Sequence, residues 1–157
     1  MKELLEKLRT DYPALAFSEG DTFYWSPKKQ TVTYAPGSTQ PQIAQWSLLH
    51  EVCHGILGHK NYTSDFELVQ LEVAAWQQAK ILAKKYDIKI DPEHIQDCLD
   101  TYRDWLHMRA TCPTCSTVST QKDPNTYECF NCHTVWHVSN SRFCRPYRRK
   151  SPESSTK

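Results

Sequence analysis

Apolar positions along this chain recur with two different periods. Residues 2–10 set leucines among charged residues at helical spacing and predict an amphipathic helix. Residues 21–26 and 30–35 are rich in aromatic and β-branched side chains and flank a Pro27-Lys28-Lys29 turn, the pattern of a β-hairpin. After the loop 36–41 the period returns to that of a helix. Ile43, Trp46, Leu49, Val52 and Cys53, followed by Ile56 and Leu57, form a stripe that starts at about Gln42 and stops near Gly58, a residue suited to a C-terminal cap. A third helix is expected from about Asp65 to Tyr86, capped by Ser64 or Asp65, with Leu68, Leu71, Ala75, Ala79, Leu82 and Tyr86 on its buried side. Asp91-Pro92 opens a fourth, carrying Ile95, Leu99, Tyr102 and Leu106. The expected fold class is α+β, a small hairpin sheet packed on helices.

With 157 residues the chain has room for one modest core and a small extra module. Hydrophobic residues make up 39% and charged residues 24%, ordinary for a globular protein, and no apolar run reaches membrane-spanning length. The amphipathic N-terminus contains acids and does not resemble a signal peptide. Seven cysteines, four of them in metal-binding spacing, fit a reducing cytoplasm; Cys53 and Cys98 fall on apolar helix faces and read as buried thiols.

The apolar run of the second helix contains His50-Glu51-Val52-Cys53-His54, an HExxH sequence. Residues four apart lie side by side on a helix, so His50 and His54 can hold one metal ion. Glu51 then stands beside the ion, where it can take a proton from water as a general base. Zinc is the expected metal, and a catalytic zinc usually takes a third protein ligand. The pattern HExxHxxGxxH would need Gly at 57 and His at 60, where this chain has Leu57 and Lys60. Glu72 is the leading third ligand, because it falls between Leu68, Leu71 and Ala75 on the face expected to pack on the HExxH helix. A carboxylate buried there needs a partner. His59 and Glu67 are the alternatives, and Tyr34 and Tyr62 are candidate oxyanion donors.

Downstream, Cys112-Pro-Thr-Cys115 and Cys129-Phe-Asn-Cys132 form two CxxC pairs. Two such knuckles supply four thiolates to a tetrahedral zinc with no open position, the composition of a structural zinc ribbon. Disulfides or a redox CxxC are the competing readings, and His133 or His137 could replace one cysteine. The divisions expected are residues 1–110 for the HExxH domain, 111–140 for the ribbon and 141–157 for a partly disordered tail.

Charge is uneven between these parts. Residues 1–111 hold 12 basic and 15 acidic side chains, whereas residues 112–157 hold 7 and 3. Arg142, Arg145, Arg148, Arg149 and Lys150 crowd a stretch without acids, interleaved with Phe143 and Tyr147. Such a segment can track a phosphate backbone and stack on bases, so nucleic acid is a candidate partner beside a protein substrate; a solubilising tail, or one that packs back on the catalytic domain, is the alternative.

The hairpin, the HExxH helix and the following helix with Leu71-Glu72-Val73-Ala74-Ala75-Trp76 resemble the ImmA/IrrE family of zinc metallopeptidases over about residues 15–86. The resemblance implies a gluzincin-like fold, zinc held by His50, His54 and Glu72, Glu51 as catalytic base, and limited proteolysis of a protein partner, in that family often a DNA-bound repressor. Cys53 stands where the family commonly has Gly, and most members lack a ribbon. The layout of an HExxH domain joined to a zinc module is similar to SprT/Spartan-like DNA-associated proteases, which normally take a third histidine. The expected function is therefore a cytoplasmic zinc metalloendopeptidase with one catalytic and one structural zinc. The alternatives are a SprT-like protease and a non-catalytic nucleic-acid-binding zinc-ribbon adaptor.

Overall fold

The computed structural model describes residues 1–139 and 148–151. Arg142, Phe143, Cys144, Arg145 and Tyr147, and residues 152–157 of the expected disordered end, lie outside the described residues. The elements run α1 (Lys2–Asp11), β1 (Ala16–Glu19), β2 (Tyr24–Ser26), β3 (Thr31–Tyr34), α2 (Pro41–Ile56), α3 (Asp65–Lys85), α4 (Pro92–Ala110), β4 (Thr120–Asp123), β5 (Thr126–Glu128), β6 (Val135–Val138) and β7 (Arg148–Lys150). The class is α+β, with four helices and two small sheets among the described residues. No helix among them is long and apolar enough to cross a membrane.

The chain divides into two compact units. The first comprises Met1–Asn61 and Gln70–Gln96, and the second Tyr62–Val69 and Asp97–Lys157. In the first unit the predicted hairpin forms, with Trp25 opposite Val32, and β1 adds a parallel strand on the far side of β3, in the order β1-β3-β2. The sequence pattern does not mark β1. Its Ala-Phe-Ser-Glu carries no β-branched residue and presents mostly exposed side chains, so its place comes from pairing with β3 and not from local preference.

Helix α2 packs on β2 and β3, and the buried core of this unit holds Leu4, Leu5 and Leu8 of α1, Trp46, Leu48, Leu49, Val52 and Cys53 of α2, and Ala75, Trp76, Ala79 and Leu82 of α3. Each large apolar side chain taken from water contributes about 1.5–3 kcal/mol, enough to hold α2 and α3 in a fixed rotation. That rotation decides which polar side chains on the same faces are drawn inward. Helix α2 also approaches the sheet closely at Gly55, where a Cβ would lie 2.9 Å from a Leu15 methyl and 3.1 Å from the Trp25 ring.

In the second unit four antiparallel strands lie in the order β4-β5-β6-β7. Its core holds Ala110, Cys112, Tyr127, Cys129, Trp136 and Val138, with the Tyr127 and Trp136 rings stacked at 5.5 Å. Arg148–Lys150, assigned by charge to a basic tail, form the edge strand β7, and Ser151 continues by donating its N–H to the Val135 carbonyl. The first turn of α3 belongs to this unit. Ser64 caps it by accepting the Glu67 N–H at 3.1 Å, which frees Asp65 for another role. Asp65 is buried and receives the Arg109 Nε–H at 2.6 Å and the Tyr127 hydroxyl at 2.6 Å. Arg109 also donates to the carbonyls of Pro124 and Ser139 and sits 4.5 Å over the Trp105 ring. A guanidinium satisfied on every side is the condition under which burying it is tolerable.

Candidate metal centres

Among the described residues, two groups of side chains converge, one in each unit. In the first, α2 presents His50 and His54 one turn apart, and α3 brings Glu72 against them. His50 Nε2 lies 3.1 Å from Glu72 Oε2, His54 Nε2 lies 3.7 Å from Glu72 Oε1, and the two Nε2 atoms are 3.0 Å apart. All three residues are buried. Donors about 2.0–2.1 Å from a tetrahedral zinc stand roughly 3.4 Å from one another, so the observed separations bracket those of a bound ion. Burial alone would raise the Glu72 carboxyl, but hydrogen bonds and charge from His50 and His54 outweigh it and hold the group well below the usual carboxylate range. A carboxylate and two imidazole nitrogens gathered in one buried spot form a donor set that a divalent cation satisfies.

The neighbours of this trio hold its parts in place. The His50 ring stacks on Trp76 at 4.2 Å, and its buried Nδ1 has no hydrogen-bond partner among the described residues. Trp76 lies one helical turn after Glu72, so a single face of α3 offers both the carboxylate and the stacking surface. On the outer side of His54, its Nδ1 meets His59 Nδ1 at 2.9 Å. His59 is held below the ordinary histidine range, first by burial and then by His54.

Glu51 is half-buried next to the trio, and the Trp25 backbone N–H slightly favours its charged form. Burial pushes its carboxyl up, against the opposing effect of His50 and His54 and with that of Glu72. The alternatives for the third ligand are engaged elsewhere. His59 reaches His54 through Nδ1 and stands outside the group of converging atoms. Glu67 accepts both the N–H and the hydroxyl of Thr63, at 2.6 and 2.7 Å. Of the oxyanion candidates, Tyr34 is buried and donates its hydroxyl to Glu19 at 3.1 Å, and Tyr62 is exposed and belongs to the second unit.

In the second unit the sulfurs of Cys112, Cys115, Cys129 and Cys132 converge, with Cys112 and Cys132 at 3.6 Å and Cys115 and Cys129 at 3.5 Å. A disulfide would bring two sulfurs to about 2.05 Å. Thiolates about 2.3 Å from a tetrahedral zinc stand roughly 3.8 Å apart, so the cluster matches a metal shell and not a pair of disulfides.

The two CxxC segments fold as near copies. Cys112 N–H donates to the Thr117 carbonyl and Ser116 N–H to the Cys112 carbonyl; Cys129 N–H donates to the Thr134 carbonyl and His133 N–H to the Cys129 carbonyl. Ser116 and His133 close these turns at φ of 60° and 56°. Donors gather around the sulfurs. The Thr117 hydroxyl and N–H, with the Asn131 amide, hold Cys115 down at about 5. Burial would raise Cys129, but the Cys132 N–H and the Ser119 hydroxyl outweigh it and lower that thiol. The thiolates of Cys115 and Cys129, favoured in this way, suit metal ligation, whereas at Cys132 the Thr134 hydroxyl and N–H are outweighed by burial and by the Cys115 and Cys112 sulfurs, which raise that thiol. His137 contacts Thr126 through Nδ1 and Ser151 through Nε2, so it is committed to the sheet.

Three features of these centres and their surroundings are absent from the sequence expectations: the stack on Trp76, the contact of His59 with His54, and the buried Arg109. A signal for the first lies in spacing, since Trp76 is four residues from Glu72. The Gly58-His59 pair just past a helix end is the signal for the second.

Comparison with protein-family models, curated proteins and solved structures gave no match.

Proposed function

We propose that this chain is a zinc-dependent metalloendopeptidase that cleaves a protein partner, of the kind represented by ImmA/IrrE-like enzymes. The observation that supports it most is the buried convergence of His50, His54 and Glu72 with Glu51 beside them on the same helix. His50, His54 and Glu72 would hold the ion. Zinc bound there would supply Lewis-acid chemistry, acidifying water and polarising a peptide carbonyl.

Glu51 acts as the base. It takes a proton from the water that adds to the carbonyl carbon and returns it to the nitrogen as the C–N bond breaks, leaving a carboxylate and an amine. Its carboxyl is raised by burial, which brings its basicity nearer to working pH. The stack of His50 on Trp76 fixes that imidazole without a hydrogen bond to its Nδ1. The four-cysteine cluster, as a zinc ribbon, leaves no open ligand position and has a structural part only.

Glu51→Gln tests this reading. Gln keeps the shape and can still hydrogen-bond water but cannot accept its proton. The variant should bind metal as the wild type does and lose about 10²–10⁴-fold in cleavage of an unstructured protein substrate. Equal cleavage by the two proteins would overturn the mechanism. Cleavage by neither, with nucleic-acid binding retained, would favour the adaptor reading, to which the basic β7 strand and the exposed Phe130 of the second knuckle lend support.

A further inference from the structure

The geometry points to His59 as a positioning residue that orients the metal ligand His54 and sets which of its nitrogens carries the proton. This role deepens the proposed function and rests on the reading of His50, His54 and Glu72 as ligands.

Helix α2 ends in a way that brings the two rings together. Gly58 follows the helix with φ of +65°, a left-handed conformation natural to glycine. The chain therefore turns back on itself. Gly58 N–H donates to the Gly55 carbonyl at 3.1 Å and His59 N–H to the His54 carbonyl at 2.9 Å. These two bonds make a Schellman closure, in which the residue two past the cap packs on the residue that begins the last turn. That contact is usually apolar. Here the two positions are His59 and His54, and the closure lays one imidazole against the other, with ring centroids at 4.9 Å. Trp25 secures the arrangement from the sheet, its indole N–H donating to the His59 carbonyl at 2.9 Å.

The place of each proton follows from these contacts. His54 directs Nε2 at His50 and Glu72, so that nitrogen must keep its lone pair to bind an ion, and its proton sits on Nδ1. The Nδ1–H then needs an acceptor, and the atom facing it at 2.9 Å is His59 Nδ1. His59 therefore carries its own proton on Nε2. An outer partner of this kind fixes ring orientation and raises the basicity of the ligand, and its loss typically weakens metal binding about 10–100-fold. The usual acceptor in such a pair is a carboxylate, a carbonyl or water. A neutral imidazole does the same work without adding a further negative charge beside Glu72 and Glu51.

The test is competition of the full-length protein against a chromophoric zinc chelator. The binding step of interest is the one removed in the His50→Ala/His54→Ala protein, which separates it from the cysteine cluster. His59→Ala is expected to weaken that step about 10–100-fold at unchanged stoichiometry. His59→Asn, whose Oδ1 falls near the place of the imidazole Nδ1, is expected to stay within about threefold of wild type. An Ala variant as tight as wild type, or an Asn variant as weak as Ala, would overturn the role. Nitrogen-15 NMR of the wild-type zinc protein gives a check free of folding effects: His54 should be protonated at Nδ1 and His59 at Nε2, and the reverse would overturn it. Metal binding unchanged in the His50→Ala/His54→Ala protein would instead overturn the ligand set itself, and this role with it.

Discussion

Arg109 and Asp65 form a buried ion pair in the second unit, with Arg109 Nε 2.6 Å from Asp65 Oδ2 and both side chains almost inaccessible to water. The Tyr127 hydroxyl donates to the same oxygen. Removing one partner strands the other charge, so Asp65→Ala should destabilise the protein by about 3–5 kcal/mol in urea unfolding. Replacing both by apolar residues, as in Arg109→Met/Asp65→Leu, should recover much of that loss. A single-variant cost below about 1 kcal/mol would mean that the pair behaves like one at the surface.

Protein purified without added metal should contain about two zinc equivalents, because each of the two donor sets is complete by itself. His50→Ala/His54→Ala should remove one and Cys112→Ser/Cys129→Ser the other, read by elemental analysis. A double histidine variant with unchanged zinc would remove the basis for a catalytic site.

Loss of the cysteine-bound metal should also loosen the core around it. Trp136 is fully buried, and its indole N–H donates to the Arg109 carbonyl at 2.9 Å. Cys129→Ser should therefore shift tryptophan emission to the red and raise the quenching of one tryptophan by iodide. An unchanged spectrum would show that the Tyr127–Trp136 stack and its neighbours hold the sheet without metal.

The turn after α2 offers a separate test of backbone strain. No atom lies within 4 Å of a Cβ built at Gly58, so only its φ of +65° opposes substitution. Gly58→Ala should cost about 1–2 kcal/mol in unfolding free energy. Gly58→Asn should cost less, since Asn tolerates this conformation. Equal stability of all three proteins would mean that the turn relaxes to another shape.

The basic edge strand should make nucleic-acid binding sensitive to salt. Arg149 and Lys150 are exposed on β7, whereas Arg148 is partly used in donating to the Thr111 carbonyl at 2.6 Å. If the full-length protein binds duplex DNA, replacing Arg149 and Lys150 by Ser should lower the log–log salt slope by about one unit for each phosphate that is no longer neutralised. Binding that does not depend on salt, or no binding, would leave β7 as a solvated edge.

What the sequence determined by itself is local in origin. The HExxH spacing sets His50 and His54 side by side because a helix repeats every few residues, and the apolar stripe of Trp46, Leu49, Val52 and Cys53 shows that the helix has a buried side. The two CxxC pairs, the Ser64 cap and the Asp91-Pro92 start are likewise short-range signals, and the helices begin and end within a few residues of where those signals lie. The convergence of Glu72 on the histidines was legible only as a position on a face, since its distance from them depends on how α3 rotates against α2. The tertiary structure decided that distance, the parallel placement of β1, the burial of Arg109 on Asp65, and the return of His59 onto His54. Each of these joins residues far apart in sequence or closes a turn whose direction depends on what packs beside it. Side-chain burial against distant partners decides them, and no local period records it.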